Sequence, residues 1–360
     1  MKNKLRLLIA SALTFVLACL TAAPAAAADY DFEVDGLYYN VVSTSDLTCS
    51  VTYGDSKYTG DVVIPEEVTY GNRTFSVTQI GGSAFQYCTS LTSVTIPNSV
   101  TEIGGNAFEG CANLTSVTIG NSVTVMASYA FSGCTSLASI TIPNSVTYIG
   151  TGTFYECTGL TSVTIEDGPS TLTLNYSYDE VGFYEDRVYG TVLLHDYLGT
   201  FASCPLKSVY VGRNLDYKVT SPRYRWDIYY SPFSYQGLTK LTIGSSVTTI
   251  GEYAFFECRK LENIICLAKT PPAVTRDCFQ NYEYDFNYNA TLYVPVGTSS
   301  AYASDEVWKN FLIKEGVPNA IKDITVDPNG ESTIFNLQGQ RLAQPQKGIN
   351  IINGKKVLVK

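Results

Sequence analysis

Between Phe85 and Ile165 the chain repeats one pattern of apolar and polar positions every 23 residues. It reads A-F-x-x-C-x-x-L-x-x-(V/I)-x-I-(P/G)-N-S-V-T-x-I-G. The invariant apolar columns are Phe85, Phe108, Phe131 and Phe154; Cys88, Cys111, Cys134 and Cys157; and Leu91, Leu114, Leu137 and Leu160. Within each unit the pairs Val94/Ile96, Val117/Ile119, Ile140/Ile142 and Val163/Ile165 alternate with Ser and Thr. Period-two alternation of β-branched residues, closed by a Pro/Gly-Asn-Ser turn, predicts a short strand with one apolar face. One such unit cannot bury that face alone. Stacked side by side at the ~4.8 Å strand spacing, every column becomes a continuous ladder. The expected fold is therefore a repeat solenoid with short parallel strands on one face, and its structural core is the set of Phe, Cys and Leu columns.

The 23-residue period and the "LTSVTI" wording fit the leucine-rich repeat class. The pattern weakens downstream, with "FASCPLKSVYVG" from Phe201, "FSYQGLTKLTIG" from Phe233, "FFECRKLENIIC" from Phe255 and a last unit at Phe279. Upstream, residues 29–79 hold "DG" and "YGD" turns within alternating segments, which predicts a β-hairpin cap and a first partial repeat. The expected organisation is a leader over 1–28, the cap over 29–79 and a solenoid over 80–315 with an aromatic insertion at 166–236. A linker over 316–332 and a small C-terminal β-module over 333–360 complete it.

The wording "IPNSVTEIGGNAFEGCANLTSV" resembles the BspA-like leucine-rich repeats of Bacteroidetes and treponemes, over roughly Asp29 to Glu315. That resemblance implies a solenoid that is exported or surface-bound, works in adhesion and carries no catalytic activity. The tail "IFNLQGQRLAQPQKGINIINGKKVLVK", Ile334 to Lys360, resembles the C-terminal sorting domains of type IX secretion. From its residues alone the tail is three short strands separated by "QG", "QKG" and "NG" turns.

The N-terminus adds a compartment. Lys2, Lys4 and Arg6 precede the apolar run Leu7 to Leu20, and Ala26-Ala27-Ala28 offers a cleavage site before Asp29. Acylation at Cys19 is the rival processing. No later stretch is long enough to span a bilayer, so no transmembrane segment is expected in the mature chain. The expected location is the surface, the outer membrane or the medium of a Gram-negative bacterium. The formal charge of −9 includes the leader's three cations, so the remainder is more acidic still. Such a chain, with no basic block, is a poor partner for nucleic acid.

The recurring cysteines raise the question of disulfide, metal or nucleophilic chemistry. Parallel stacked side chains converge poorly for disulfides, and an odd number of cysteines remains once Cys19 is gone. Gln236 and Tyr282 stand in the cysteine column, Cys266 in an Ile column and Cys278 in an Ala column. Cysteine thus behaves as a small buried hydrophobe, with disulfides as the alternative. No metal or cofactor is expected: there is no C-x-x-C pair and His195 is the sole histidine. "DYDFEVDG" imitates a calcium loop at Asp31, Glu33, Asp35 and Gly36, but Val42 stands where a bidentate Glu is required. No catalytic residue is expected, because no G-x-S-x-G elbow accompanies His195. The carboxylates Asp179, Glu180, Glu185 and Asp186 leave a hidden hydrolase as a distant third reading.

Recognition is better served. The outward strand positions, such as Thr92, Ser93, Thr95 and Thr115, Ser116, Thr118, make a flat hydroxyl face without anchors. After the insertion that face includes Lys207, Tyr210, Lys240, Glu262, Asn263 and Ile265. The insertion supplies the missing aromatics, Tyr217 among them, and the expected contact residues are Arg225, Trp226, Tyr229 and Tyr230 with Tyr224 and Tyr184. Packing of these aromatics onto the solenoid is the competing reading. The function expected is a non-enzymatic binding or adhesion module for a protein or glycan on host, matrix or bacterial surfaces. The alternative is a glycan-binding accessory of a carbohydrate-uptake system.

Overall fold

The computed structural model describes residues 30–174, 199–219, 231–234, 236–281 and 289–316, together with backbone strands between 334 and 359. The repeats coil into a solenoid whose sheets do not close on themselves. At its start, β1 (Phe32–Val34), β2 (Leu37–Ser43) and β3 (Thr48–Thr52) pair antiparallel in sequence order. Asp35 and Gly36 both have positive φ (51° and 79°), the geometry of the two-residue turn that joins β1 to β2. Next come β4 (Gly60–Val63), β5 (Glu67–Tyr70), β6 (Arg73–Ile80) and β7 (Leu91–Thr95). β3 runs parallel to β6, which fuses the antiparallel strands to the coils.

From β4 onward, the L-x-x-V-x-I strands form the first parallel ladder. It begins with β4, β7 and Ser116–Thr118, and resumes with seven strands from Ser139–Ile142 to Leu312–Glu315. The β4–β7 pair shifts register between Gly60 and Asp61, and from Ser139–Ile142 onward the register is exact, for example Ile140 to Val163 to Val209 to Leu241 to Ile264 to Leu292. A second parallel ladder, which the sequence reading did not anticipate, is built from the T-x-I segments. It runs from β6 through Glu102–Ile103, Val125–Met126, Tyr148–Ile149 and Leu172–Leu174 to Leu215–Asp216. These strands are only two or three residues long, too short to announce themselves by alternation. The ladder stops there and resumes as the pair Thr249–Ile250 and Ala273–Val274. Asn214 spans the gap: its Oδ1 accepts the Thr248 and Thr249 N–H groups at 2.9 and 3.2 Å, and its Nδ2 donates to Thr248 Oγ1.

Between the ladders lies the core, and the columns expected to fill it do so: all four Phe, all four Cys and all four Leu are buried. Eight phenylalanines, from Phe85 to Phe279, stack face to face with centroids 4.8–5.7 Å apart. Tyr58 lies over the first ring, while Trp308 and Phe311 meet the last edge-on. The corners of Phe85, Phe108, Phe131, Phe154 and Phe255 hold the ring between left-handed residues two positions before and after, such as Asn106 and Gly110 around Phe108. Gly110 is needed twice over, because its φ is +68° and a Cβ would lie 2.4 Å from the Tyr87 ring.

The aromatic insertion expected at 166–236 is not one block. Phe154 stacks directly on Phe201, and Ser162–Ile165 pairs in register with Ser208–Val211. Residues 166–174 and 199–219 therefore belong to ordinary coils. At the C-terminus the backbone strands Ile334–Phe335, Arg341–Leu342, Gly348–Ile352 and Lys355–Val359 pair antiparallel. They number four where three were expected, because the three turns of the tail separate four segments.

Candidate functional site

The cysteine column is a hydrogen-bonded ladder as well as an apolar one. Cys111, Cys134, Cys157, Cys204 and Cys258 each donate their thiol to the carbonyl of the phenylalanine one coil back, at 3.0–3.2 Å. Gln236, the substitute in that column, sends its Nε2 to Phe201 O at 3.4 Å, the same acceptor position. Its coil and the one before are each a residue short: Gln236-Gly237-Leu238 and Cys204-Pro205-Leu206 stand where the four regular coils have four. Gln236 Oε1 accepts the Leu206 N–H at 3.3 Å. The column is thus selected for a donor, and the expectation of a purely hydrophobic role is corrected to that extent. All nine cysteines from Cys49 on are buried and free of disulfides. Burial pushes the Cys49 thiol up to about 11 and the Cys111 and Cys258 thiols up to about 12. A neutral, water-excluded thiol is neither a nucleophile nor a metal ligand.

Some of the outer-face hydroxyls are spent on the scaffold. Thr115, Thr161 and Thr239 donate to backbone carbonyls of the preceding coil, as Thr101, Thr124 and Thr147 do beside the second ladder. Ile265, expected on this face, is buried, in register between Thr242 and Tyr293. Tyr210 reaches across the face to Asp167. Asp31 of the calcium-like stretch accepts the Val41 N–H at 2.7 Å inside its hairpin, and among the described residues no His/Cys/Asp/Glu group could hold a metal.

Tyr184, Tyr224, Arg225, Trp226, Tyr229 and Tyr230, the expected contact residues, lie outside the described residues, as do His195 and the carboxylates Asp179, Glu180, Glu185 and Asp186. Their flanks are described, and these locate the two aromatic segments on the solenoid. One segment leaves the coil after Leu174 and returns at Gly199, two residues before Phe201. The other leaves after Val219 and returns at Ser231, two residues before Phe233. Phe201 and Phe233 are adjacent rings, 5.4 Å apart. Both segments are therefore rooted at one corner of consecutive coils. A third aromatic stretch, Tyr282, Tyr284, Phe286 and Tyr288, follows Phe279 in the sequence and also lies outside the described residues. Tyr217 is scaffold: it packs against the core and donates to Glu252 O at 3.0 Å.

A buried arginine supports this region. Arg213 Nη1 and Nη2 donate to Asn144 O and Pro143 O at 2.6 and 2.8 Å. It reaches past the preceding coil, which reads "EDGPST" in place of a Pro-Asn-Ser turn, to the Pro143-Asn144 turn two coils back.

The sequence profile described as "BspA type Leucine rich repeat region" matches six copies, over residues 66–179 and 226–295, just over half the chain. The stretch it skips includes most of both aromatic segments. Among solved structures, a Treponema pallidum leucine-rich repeat protein is similar at 19% identity with a TM-score of 0.38, covering 66% of this chain and 86% of that one. A leucine-rich cell surface protein of Faecalibacterium prausnitzii has 17% identity and a TM-score of 0.35, with 83% and 97% covered. A leucine-rich repeat protein of Bacteroides capillosus has 28% identity and a TM-score of 0.32, with 37% and 95% covered. At such scores whole-chain superposition decides nothing beyond the repeat. No curated protein matches the sequence.

Proposed function

This chain belongs to the BspA-type leucine-rich repeat family, and from that membership we propose that it is an exported, surface-displayed, non-enzymatic binding module for host, matrix or bacterial partners. One observation carries the reading: two aromatic-rich segments, the second with Arg223 and Arg225, spring from the same corner of adjacent coils, on a scaffold whose own outer face is flat hydroxyl. Tyrosine, tryptophan and arginine give large, rigid, amphipathic contact area, the composition of interface hot spots. The buried thiols and the lack of a metal-holding group among the described residues give no support to chemistry on the scaffold. No described helix is long and apolar enough to cross a membrane, which fits display through the leader and the sorting-like tail, Ile334 to Lys360.

The test replaces 175–198 and 220–230 with short Gly-Ser links and measures binding to immobilised matrix proteins and to a glycan array. The variant keeps the circular dichroism of the parent and loses partner binding. The quadruple change Arg225→Ala, Trp226→Ala, Tyr229→Ala and Tyr230→Ala weakens it at least tenfold, the scale of a truncated hot spot. Undiminished binding by the trimmed variant would reject this surface. Saturable sugar binding with no protein ligand would move the reading to a glycan-uptake accessory. Masses of the mature termini from surface-labelled cells test cleavage after Ala28, acylation of Cys19 and removal of the tail.

A further inference from the structure

A cleft of about 760 Å³ opens at the N-terminal end of the solenoid, many coils from the aromatic segments. Its floor is made by Leu37, Tyr39, Tyr58 and Val68, all well packed below. The Asp35-Gly36 turn forms one wall and strand β4 another.

β4 pairs with β7 and has no second neighbour among the described residues. The Gly60 and Ile64 N–H groups donate toward the β7 side, to Ser90 O at 2.8 Å and Thr95 O at 3.0 Å. Alternate residues of a strand turn their peptide groups to opposite sides. The N–H and C=O of Asp61 and Val63 therefore face away from β7, toward the cleft. An unpaired parallel edge is a template for another strand, and proteins usually blunt it with Pro, Lys or a covering loop. β4 reads Gly-Asp-Val-Val, with Asp61 as its one charge and Pro65 beyond its end, and leaves Val63 71% exposed.

The charge of the cleft chooses the occupant. Asp35, Asp61 and Glu67 line it against the single cation Lys57, whose Nζ is committed to Gln86 O at 2.7 Å. Ser93 and Thr92 donate to Asp61 Oδ1 at 2.6 and 2.7 Å, which holds that carboxyl below the usual carboxylate range.

We propose that the cleft binds an extended cationic peptide segment of a partner protein by strand addition to β4. Four residues of strand span about 13 Å at ~3.3 Å each. Apolar side chains of the guest face Tyr39, Tyr58 and Val68, and its Lys or Arg side chains face the carboxylates.

The test uses the full mature chain and a fluorescein-labelled, capped hexapeptide alternating valine and lysine, followed by anisotropy. Saturable one-to-one binding is expected, weakening as salt rises. Binding falls at least tenfold for the valine–glutamate peptide and for the valine–lysine peptide methylated on alternate backbone nitrogens. Asp61→Asn with Glu67→Gln reduces it several-fold, and Val63→Pro, which deletes one edge N–H, abolishes it. Val63→Thr keeps the backbone and retains binding, which controls for misfolding of the proline variant, while the methylated peptide needs no variant at all. The form lacking 175–198 and 220–230 binds the peptide as the parent does, so the outcome is independent of the aromatic surface. Equal affinity for the glutamate or methylated peptide, or no saturable binding, overturns the proposal. So does head-to-tail self-association in sedimentation that the peptide fails to compete.

Discussion

Single side chains keep this scaffold in register by offering a donor at a fixed place. In five coils a thiol fills the place above the preceding phenylalanine carbonyl, and in the Phe233 coil Gln236 fills it instead. Gln236→Leu strands the Phe201 carbonyl and the Leu206 N–H, a loss of about 1–3 kcal/mol in chemical denaturation. Gln236→Cys restores one donor and loses less; equal losses for the two would reduce the column to packing. The thiols also make stability depend on pH in the alkaline range. Burial holds Cys111 and Cys258 neutral up to about 12, whereas an unfolded thiol ionises near 8.5. Their contribution is complete below that unfolded value and is lost as pH climbs from there toward 12, at about 1.4 kcal/mol per pH unit for each thiol. Denaturation midpoints measured from pH 7 to 10.5 should fall above pH 9, less steeply in Cys111→Ala with Cys258→Ala.

At the scale of elements, a stack of coils is only as good as its ends. The last ring, Phe279, is closed by Trp308 and Phe311 from the segment after helix Ser299–Ala303. Trp308 is fully buried, with Nε1 donating to Pro272 O at 2.9 Å, while Tyr302 donates to Ala268 O at 2.7 Å. Trp308→Ala is expected to cost about 3–5 kcal/mol and to uncap the stack. Hydrogen exchange should then quicken first in Thr291–Val294 and Asn263–Cys266, the strands nearest the lost cap. Exchange that quickened evenly from Phe85 onward would mean the coils unfold as one unit.

Across the whole molecule the two ladders carry different loads. The first, interrupted once between Ser116–Thr118 and Ser139–Ile142, runs unbroken from there to Leu312–Glu315, whereas the second breaks after Leu215–Asp216 and is bridged by Asn214. One aromatic segment leaves the chain just past that break, and both leave from a corner that carries no strand. Trimming them should leave the thermal midpoint within about 2 °C of the parent, since the Phe154–Phe201–Phe233 stack and the register of the first ladder do not use them. A much larger drop would assign those aromatics to packing.

The periodic columns were legible in the sequence, because a solenoid repeats each local environment and so writes the same residue at each turn. The phenylalanine, cysteine and leucine cores and the first ladder followed directly from that. Three features did not. The second ladder is made of two-residue strands, whose pairing is fixed by neighbours one coil away. The donor role of cysteine depends on the carbonyl above it, and only stacking brings Gln236 to Phe201. The apparent insertion resolved into coil plus two departures from one corner, because Phe154 and Phe201, far apart in the chain, are neighbours in space. Sequence set what each coil buries; the contact between coils decided which polar groups are satisfied, which strand edge stays open, and where the chain is free to leave.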